Sequence, residues 1–345
     1  MLKIKPILKT VAPMFILVFI SAASIAAVIK PERLKQGDTV GLIAPGYRLA
    51  DETLIQYAIE RMQALGLKVK VGNAVYKQYG YFAGTDEERA ADINNMFANP
   101  EVKAIIALRG GWGCNRLLNL IDYKTIKKNP KIIMGYSDIT SLLLAITAKT
   151  GLVTFHGPVA FEPWQSFTLG YVKEILFEGK NSAFINPTED EDDLIRTKNR
   201  HVVINGGQAT GILIGGNLSL LTSLLGSEYL PKFDKAILFV EEADEDVYRI
   251  DRMLTQLKTA GVLKKISGFV FGKCMDCGVK NTSPAAYGSL TLMQVLKDHI
   301  KPLNIPAWFG AMIGHEKKFF TLPEGTSVTI DAGKGTITML EPAVR

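Results

Sequence analysis

The 345-residue chain has only three cysteines and four histidines, and each scarcity removes a class of chemistry. Three cysteines are too few for a disulfide framework. Cys274 and Cys277, in FGKCMDCG, form a single C-x-x-C with no second pair to complete a zinc site. They read as incidental thiols or a local disulfide. The glycines carry no G-x-G-x-x-G or P-loop lysine pattern, so a nucleotide cradle has no support. Basic residues are scattered without the clustered stripe that a phosphate backbone requires, and no nucleic-acid partner is expected. There is no low-complexity tract and no internal repeat.

What is present is an ordinary globular composition, 47% hydrophobic and 21% charged, at a length that favours two domains over one core. The first 29 residues differ from the rest. Lys3, Lys5 and Lys9 precede an uncharged apolar run from Val11 to Ile29, with the core MFILVF and small residues at Ser24, Ala26 and Ala27. Residues 1–29 therefore read as a secretory signal peptide, with an uncleaved inner-membrane anchor as the alternative, since the run approaches the roughly 20 residues that span a bilayer. Either reading places the protein in the periplasm or otherwise outside the cytosol. Removing the segment takes three lysines from a net charge of +6 and leaves +3.

From Thr39 short apolar runs alternate with amphipathic segments, the pattern of an α/β fold with a parallel sheet covered by helices. The expected strands are TVGLIAP, LKVKVG, KAIIAL, KIIMGY and LVTFHGP, and the helices between them include ETLIQYAIERMQAL, EERAADINNMFA and ITSLLLAITAKT. In the first helix, Leu54, Tyr57, Ala58, Met62 and Leu65 recur at helical spacing and define an apolar face. This open parallel-sheet domain is assigned to residues 30–165. A polar stretch, NPTEDEDDLIRTKNR, lacks any apolar periodicity, and residues 166–205 are read as the linker. Residues 206–345 then form a strand-rich mixed α/β domain that ends in the strand-turn-strand pattern TSVTIDAGKGTITML.

The most informative local feature is KIIMGYSDIT, an apolar strand that runs through a small residue into a serine and opens at once into a helix. Such a nucleophile elbow pushes the Ser137 hydroxyl out of the sheet, with the Asp138 amide beneath the reacting carbonyl. The bland reading makes Ser137 or Asp138 a helix N-cap. Ile139 stands where G-x-S-x-G needs its second glycine, so an ordinary α/β-hydrolase is not supported. A serine needs a base. Of the four histidines, His299 lies in a helix on an expected solvated face and His201 beside the linker. His156 ends a strand near the elbow, and His315 lies in the loop MIGHEKKFFTLPEG, a position that favours it. A carboxylate to orient the imidazole is offered by Glu241, at the end of ILFVEE, with Glu242 pointing to the opposite side. Both acids can alternatively be the start of the next helix. ALRGGWGCNRLL supplies bare backbone N–H groups at Gly110 and Gly111 for an oxyanion hole. Cys114 is a rival nucleophile inside the helix that follows.

Six blocks in order, GLIAPG, RGGWG with NRLL, MGYSDIT, GILIGGNLSLL, ILFVEE with YRIDRML, and GHEKKFFTLPEG, resemble the LD-carboxypeptidase (muramoyltetrapeptide carboxypeptidase) family of serine peptidases. The resemblance runs from about Val40 to the end. It implies a flavodoxin or class I amidotransferase-like N-terminal domain, and a triad of Ser137, Glu241 and His315. It implies an oxyanion hole from Gly111 and the Asp138 amide, with Gly110 and Trp112 touching substrate. It also implies a homodimer, a murein peptide substrate and no metal or organic cofactor. The activity so implied is release of the terminal D-alanine of a murein tetrapeptide through an acyl-enzyme. Two other readings are a peptidase similar to the microcin immunity enzymes, with Trp164 as a stacking platform, and a non-catalytic binder of cell-wall peptides. The run EEADED departs from the family's commoner Glu-Asp-x-Gly-Glu.

Overall fold

A computed structural model of the chain describes residues 28–189, 194–278 and 288–345. The expected signal or anchor lies outside the described residues up to residue 27. Among the described residues no helix is long and apolar enough to cross a membrane.

The five expected N-terminal strands form: β1 (Thr39–Ile43), β2 (Lys68–Val71), β3 (Val102–Ala107), β4 (Ile132–Gly135) and β5 (Thr154–His156). They are parallel, in the order β2-β1-β3-β4-β5. In this flavodoxin-like order a crevice opens at the carboxyl ends of the strands, where successive connections leave in opposite directions. The strands are joined by α1 (Glu52–Ala64), α2 (Asp86–Ala98), α3 (Tyr123–Lys128) and α4 (Thr140–Thr150). Whereas β2, at the edge, alternates lysine with valine, the inner strands read as mainly apolar runs, and β3 shows why. Its Ala104 and Ile106 pack with Ile55, Ala58 and Met62 of α1, whereas Ile105 and Ala107 pack with Ile93 and Phe97 of α2 and Leu143 and Ile146 of α4.

Local signals set the helix ends. The Asp51 side chain accepts the Thr53 amide at 2.8 Å to open α1, and Thr85 and Glu88 form a capping box on α2. Gly151 closes α4 in the left-handed region at φ 77°. The buried stripe of α1 is Ile55, Ala58 and Met62. Leu54 and Leu65 lie at its margins, and Tyr57, expected on that face, is exposed instead.

The second half contains α5 (Ser166–Val172), β6 (Ala183–Ile185), β7 (Val202–Asn205), β8 (Gln208–Asn217), α6 (Leu218–Ser223), β9 (Ile237–Ala243), α7 (Val247–Thr259), β10 (Gly268–Met275), α8 (Leu292–Ile300), β11 (Ala307–Ala311), β12 (Leu322–Glu324), β13 (Ser327–Asp331) and β14 (Thr336–Met339). Eight of these strands form one mixed sheet, β6-β14-β13-β8-β9-β10-β11-β7, with β8 to β11 parallel and the flanks antiparallel. The stretch 166–205, expected as a linker, thus carries a helix and two strands. Those strands take the two outer edges of the sheet, where one side faces solvent and no apolar run is needed.

The halves also interleave. β12 leaves the second sheet's part of the chain and pairs antiparallel with β5, Leu322 opposite His156 and Glu324 opposite Thr154. A single core cluster carries Leu42, Ile106 and Met134 of the first sheet together with Phe239, Val270 and Trp308 of the second. Cys274, on β10, is joined to Cys277 in a disulfide, the second of the two readings of that pair. His299 is not on a solvated face: it is buried, with Nε2 2.6 Å from Asp251 Oδ1 on α7, the helix against which α8 packs.

Candidate active site

Ser137 follows β4 and sits at φ +61°, in the left-handed region that a non-glycine residue rarely occupies. A short 3₁₀ turn, Ser137–Ile139, then leads into α4. The side chain of Ser137 caps nothing, and the residue that precedes α4 is Ile139, also without a side-chain cap, so the capping reading does not hold. Two glycines make the bend possible. A Cβ on Gly135 would stand 2.9 Å from the Ile139 side chain, and one on Gly110 would stand 3.1 Å from Ser137 Cβ and 3.3 Å from the Asp138 amide nitrogen. The Gly110 loop is therefore pressed directly against the elbow.

Glu241 is fully buried near the end of β9. Its Oε2 lies 2.9 Å from His315 Nδ1, and His315 Nε2 lies 3.2 Å from Ser137 Oγ. Two more glycines clear the space for that carboxylate. A Cβ on Gly314 would lie 2.7 Å from Glu241 Oε2, and one on Gly272 would lie 3.1 Å from Glu241 Cβ. Gly314 is thus required for room and not for backbone freedom, since its φ is not positive. An ionised carboxylate can only accept, so Nδ1 carries the proton and Nε2 is left bare to accept from the serine hydroxyl. Burial pulls the His315 imidazole down, but the hydrogen bond and charge of Glu241, with Glu242 and Glu162 beyond it, outweigh burial and hold it above its ordinary value.

Glu242 points away from Glu241, as alternation along a strand requires. It accepts from Asn217 Nδ2 at 2.9 Å and from Ser219 N and Oγ at 3.0 and 2.7 Å, tying down the start of α6. Neither acid begins a helix, because α7 starts only at Val247.

His156 approaches the site but has another task. It is fully buried, with Nε2 2.6 Å from the carbonyl of Ile313. A carbonyl can only accept, so Nε2 is the protonated nitrogen, and burial lowers the imidazole's pKa and keeps it neutral. Cys114 is buried at the start of a 3₁₀ helix, and burial followed by the charge of Asp138 pushes its thiol well above its ordinary value, which removes it as a nucleophile. His201 bonds instead to the carbonyl of Gly333, in the turn between β13 and β14.

The side chain of Asp138 does work that its sequence position did not advertise. It is buried and accepts the Cys114 amide at 2.9 Å, so the elbow itself holds the glycine loop 110–114 in place. Arg89 of α2, equally buried, donates to the carbonyl of Gly113 in the same loop, at 3.3 Å, and to that of Pro45 after β1, tying the two segments together. Gly111, at φ +104°, has no room for a Cβ, which would stand 2.4 Å from the Tyr47 ring. Trp112 is half exposed and packs in an aromatic group with Tyr81 and Phe82.

A cleft of about 370 Å³ opens beside His315, walled by Tyr136, Pro158, Glu162, Trp164, Gln165 and Phe319, among others. Trp112 is not among its lining residues, whereas Trp164 is, with its indole N–H fixed on the Val159 carbonyl at 2.9 Å. A second cavity, of about 510 Å³, shares His315 and Gln165 and extends toward Met275 and Met312.

Residues 40–157 match the LD-carboxypeptidase N-terminal domain and residues 210–330 the LD-carboxypeptidase C-terminal domain. The chain belongs to the LD-carboxypeptidase family. It is accordingly a serine-type carboxypeptidase. Among its relatives, a probable murein peptide carboxypeptidase of Bacillus subtilis is 39% identical over 313 residues, covering 89% of this chain and 93% of the relative. Among solved structures, the microcin C7 self-immunity protein MccF, known from Escherichia coli, superposes with a TM-score of 0.82 at 30% identity, over 92% of this chain and all of that one. The muramoyltetrapeptide carboxypeptidase of Oxalobacter formigenes gives a TM-score of 0.73 at 30% identity, over 88% and 99%. The candidate site lies at the carboxyl end of the first sheet's parallel strands, where Ser137 meets His315 and Glu241 from the second half of the chain.

Proposed function

We propose that the chain hydrolyses the L,D peptide bond of murein tetrapeptides and releases the terminal D-alanine, with Ser137 as nucleophile, His315 as base and Glu241 as the orienting carboxylate. The observation that carries the reading is the continuous relay from Ser137 Oγ through His315 to a fully buried Glu241, over 3.2 and 2.9 Å. As Ser137 Oγ bonds to the carbonyl carbon, its proton passes to His315 Nε2. The amides of Gly111 and Asp138 hold the oxyanion. Collapse expels the D-alanine amine, which takes that proton. Water then attacks the ester, yields its proton to the same nitrogen, and the departing serine oxygen recovers it. The murein-peptide names of the relatives support this substrate class.

A second reading keeps the triad and changes the substrate to an aminoacyl-nucleotide amide. It is favoured by the likeness to MccF, whose structures include a complex with aspartyl sulfamoyl adenosine, and by Trp164 in the cleft wall. Incubation of the purified protein with defined muropeptides and with such an amide, followed by mass analysis, separates the two. Loss of one alanine from tetrapeptide, with pentapeptide untouched, is the expected result, and Ser137→Ala should lower it by at least about 10³-fold. Full release by that variant would exclude Ser137, and binding without turnover would leave a cell-wall peptide binder.

The same reading includes export through residues 1–29, tested by cell fractionation and sequencing of the mature N-terminus. It also includes a homodimer, tested by sedimentation.

A further inference from the structure

Two carboxylates line the cleft beside His315, and they differ in what they already hold. Glu316 has Lys273 Nζ at 4.0 Å. Glu162 makes one hydrogen bond among the described residues, accepting the Tyr136 hydroxyl on Oε1 at 2.7 Å, and no salt bridge. Its other oxygen has no hydrogen-bond partner among the described residues. Burial raises the Glu162 carboxyl, while His315, Arg109 and Arg61 act in the other direction from beyond ion-pairing distance.

The position of this carboxylate is fixed by the nucleophile's own neighbour. Tyr136 precedes Ser137 in the chain, its ring meets the His315 imidazole edge-on at 5.0 Å, and its hydroxyl carries Glu162. Pro158, Pro163, Trp164 and Phe319 give the cleft around Glu162 its apolar surface, and Gln165 and Lys317 also line it, with no salt bridge between Lys317 and Glu162 among the described residues. Apolar surface beside a carboxylate that lacks a cation suits a methylene stem that ends in an ammonium group. An acidic or purely aliphatic side chain would leave that carboxylate repelled or unpaired.

We propose that Glu162 receives the side-chain ammonium of the residue whose carbonyl Ser137 attacks, and so selects a diamino acid at that position. The inference rests on the functional reading above. Its sense is that the substrate cation completes a pair the protein leaves half made, and a charge-assisted hydrogen bond of this kind discriminates by about tenfold or more.

The test compares two synthetic tetrapeptides, one with L-lysine as the third residue and one with L-norleucine, on the full-length protein and on Glu162→Gln. Glutamine keeps an oxygen for the Tyr136 hydroxyl and loses only the charge, and thermal melting of the variant monitors its fold. The wild type should show a lysine-to-norleucine ratio in kcat/KM of about ten or more, and the ratio should fall to near one in Glu162→Gln. Equal rates on the two peptides by the wild type overturn the inference alone. A ratio that persists in the variant, with both rates falling together, also overturns it and makes Glu162 a support for Tyr136. No release from either peptide overturns the functional reading, and this inference with it.

Discussion

The imidazole of His156 is hydrogen-bonded at 2.6 Å to the carbonyl of Ile313, two residues ahead of the imidazole that faces Ser137. One histidine, from the first sheet, therefore anchors the loop that presents the other. His156→Phe removes the donor and leaves a buried carbonyl unpaired, at a cost of about 1–3 kcal/mol. A displaced loop should lower kcat by about tenfold with little change in KM, because the loss falls on the alignment of His315. Steady-state kinetics on tetrapeptide, with a thermal melt, checks both numbers.

Ser137 stores strain. A non-glycine residue in the left-handed region costs on the order of 1 kcal/mol, and glycine relieves it. Ser137→Gly should melt higher than the wild type, by an increment equivalent to about 1 kcal/mol, while losing turnover. Ser137→Ala, still strained, should lose turnover without that gain. Equal melting of the three proteins would show that the backbone relaxes.

The acid limb of the rate profile should follow His315. The reaction needs Nε2 bare, and the imidazole is held above its ordinary 6.5, so protonation sets in at a higher pH than for a free histidine. Activity should accordingly fall as pH drops through a midpoint above 6.5. A limb below 6.5 in kcat/KM would mean that the carboxylates do not stabilise the imidazolium.

Glu324 on β12 is fully buried, and neither carboxylate oxygen has a hydrogen-bond partner among the described residues. Burial raises it well above the ordinary 4.5. Its folded pKa exceeds its unfolded one, so the stability linked to its proton is complete below about 4.5 and declines as pH rises toward the folded value. Glu324→Gln keeps the shape and removes the titration. Its melting temperature should match the wild type near pH 4 and exceed it increasingly toward alkaline pH, by scanning calorimetry.

Much of this was legible in the sequence, because β1, β3, β4 and β5 are largely buried and show as short apolar runs, while β2, at the sheet edge, alternates exposed lysine with half-buried valine. The elbow was less so, because a serine and an aspartate before a helix read equally as caps, and the six-block family resemblance was what singled out Ser137. Pairings distant in sequence were not. Nothing local in Leu322–Glu324 announces a partner at His156, and β6 and β7 are runs of three or four residues on either side of the polar stretch 186–200, too short to stand out from it. The roles of Asp138 and Arg89 were hidden for a related reason. A charged residue reads as solvated until the fold supplies the backbone groups it binds, here the amide of Cys114 and the carbonyls of Gly113 and Pro45.

The placement of β12 has a bearing on solubility. Without it, β5 would end the first sheet as a bare row of hydrogen-bonding groups, a template for a second chain. The strand laid over that row is three residues long and contains Pro323, which has no N–H to offer a further neighbour. A short, proline-bearing border of this kind resists edge-to-edge growth, so a fragment cut before residue 322 should precipitate where the whole chain stays in solution.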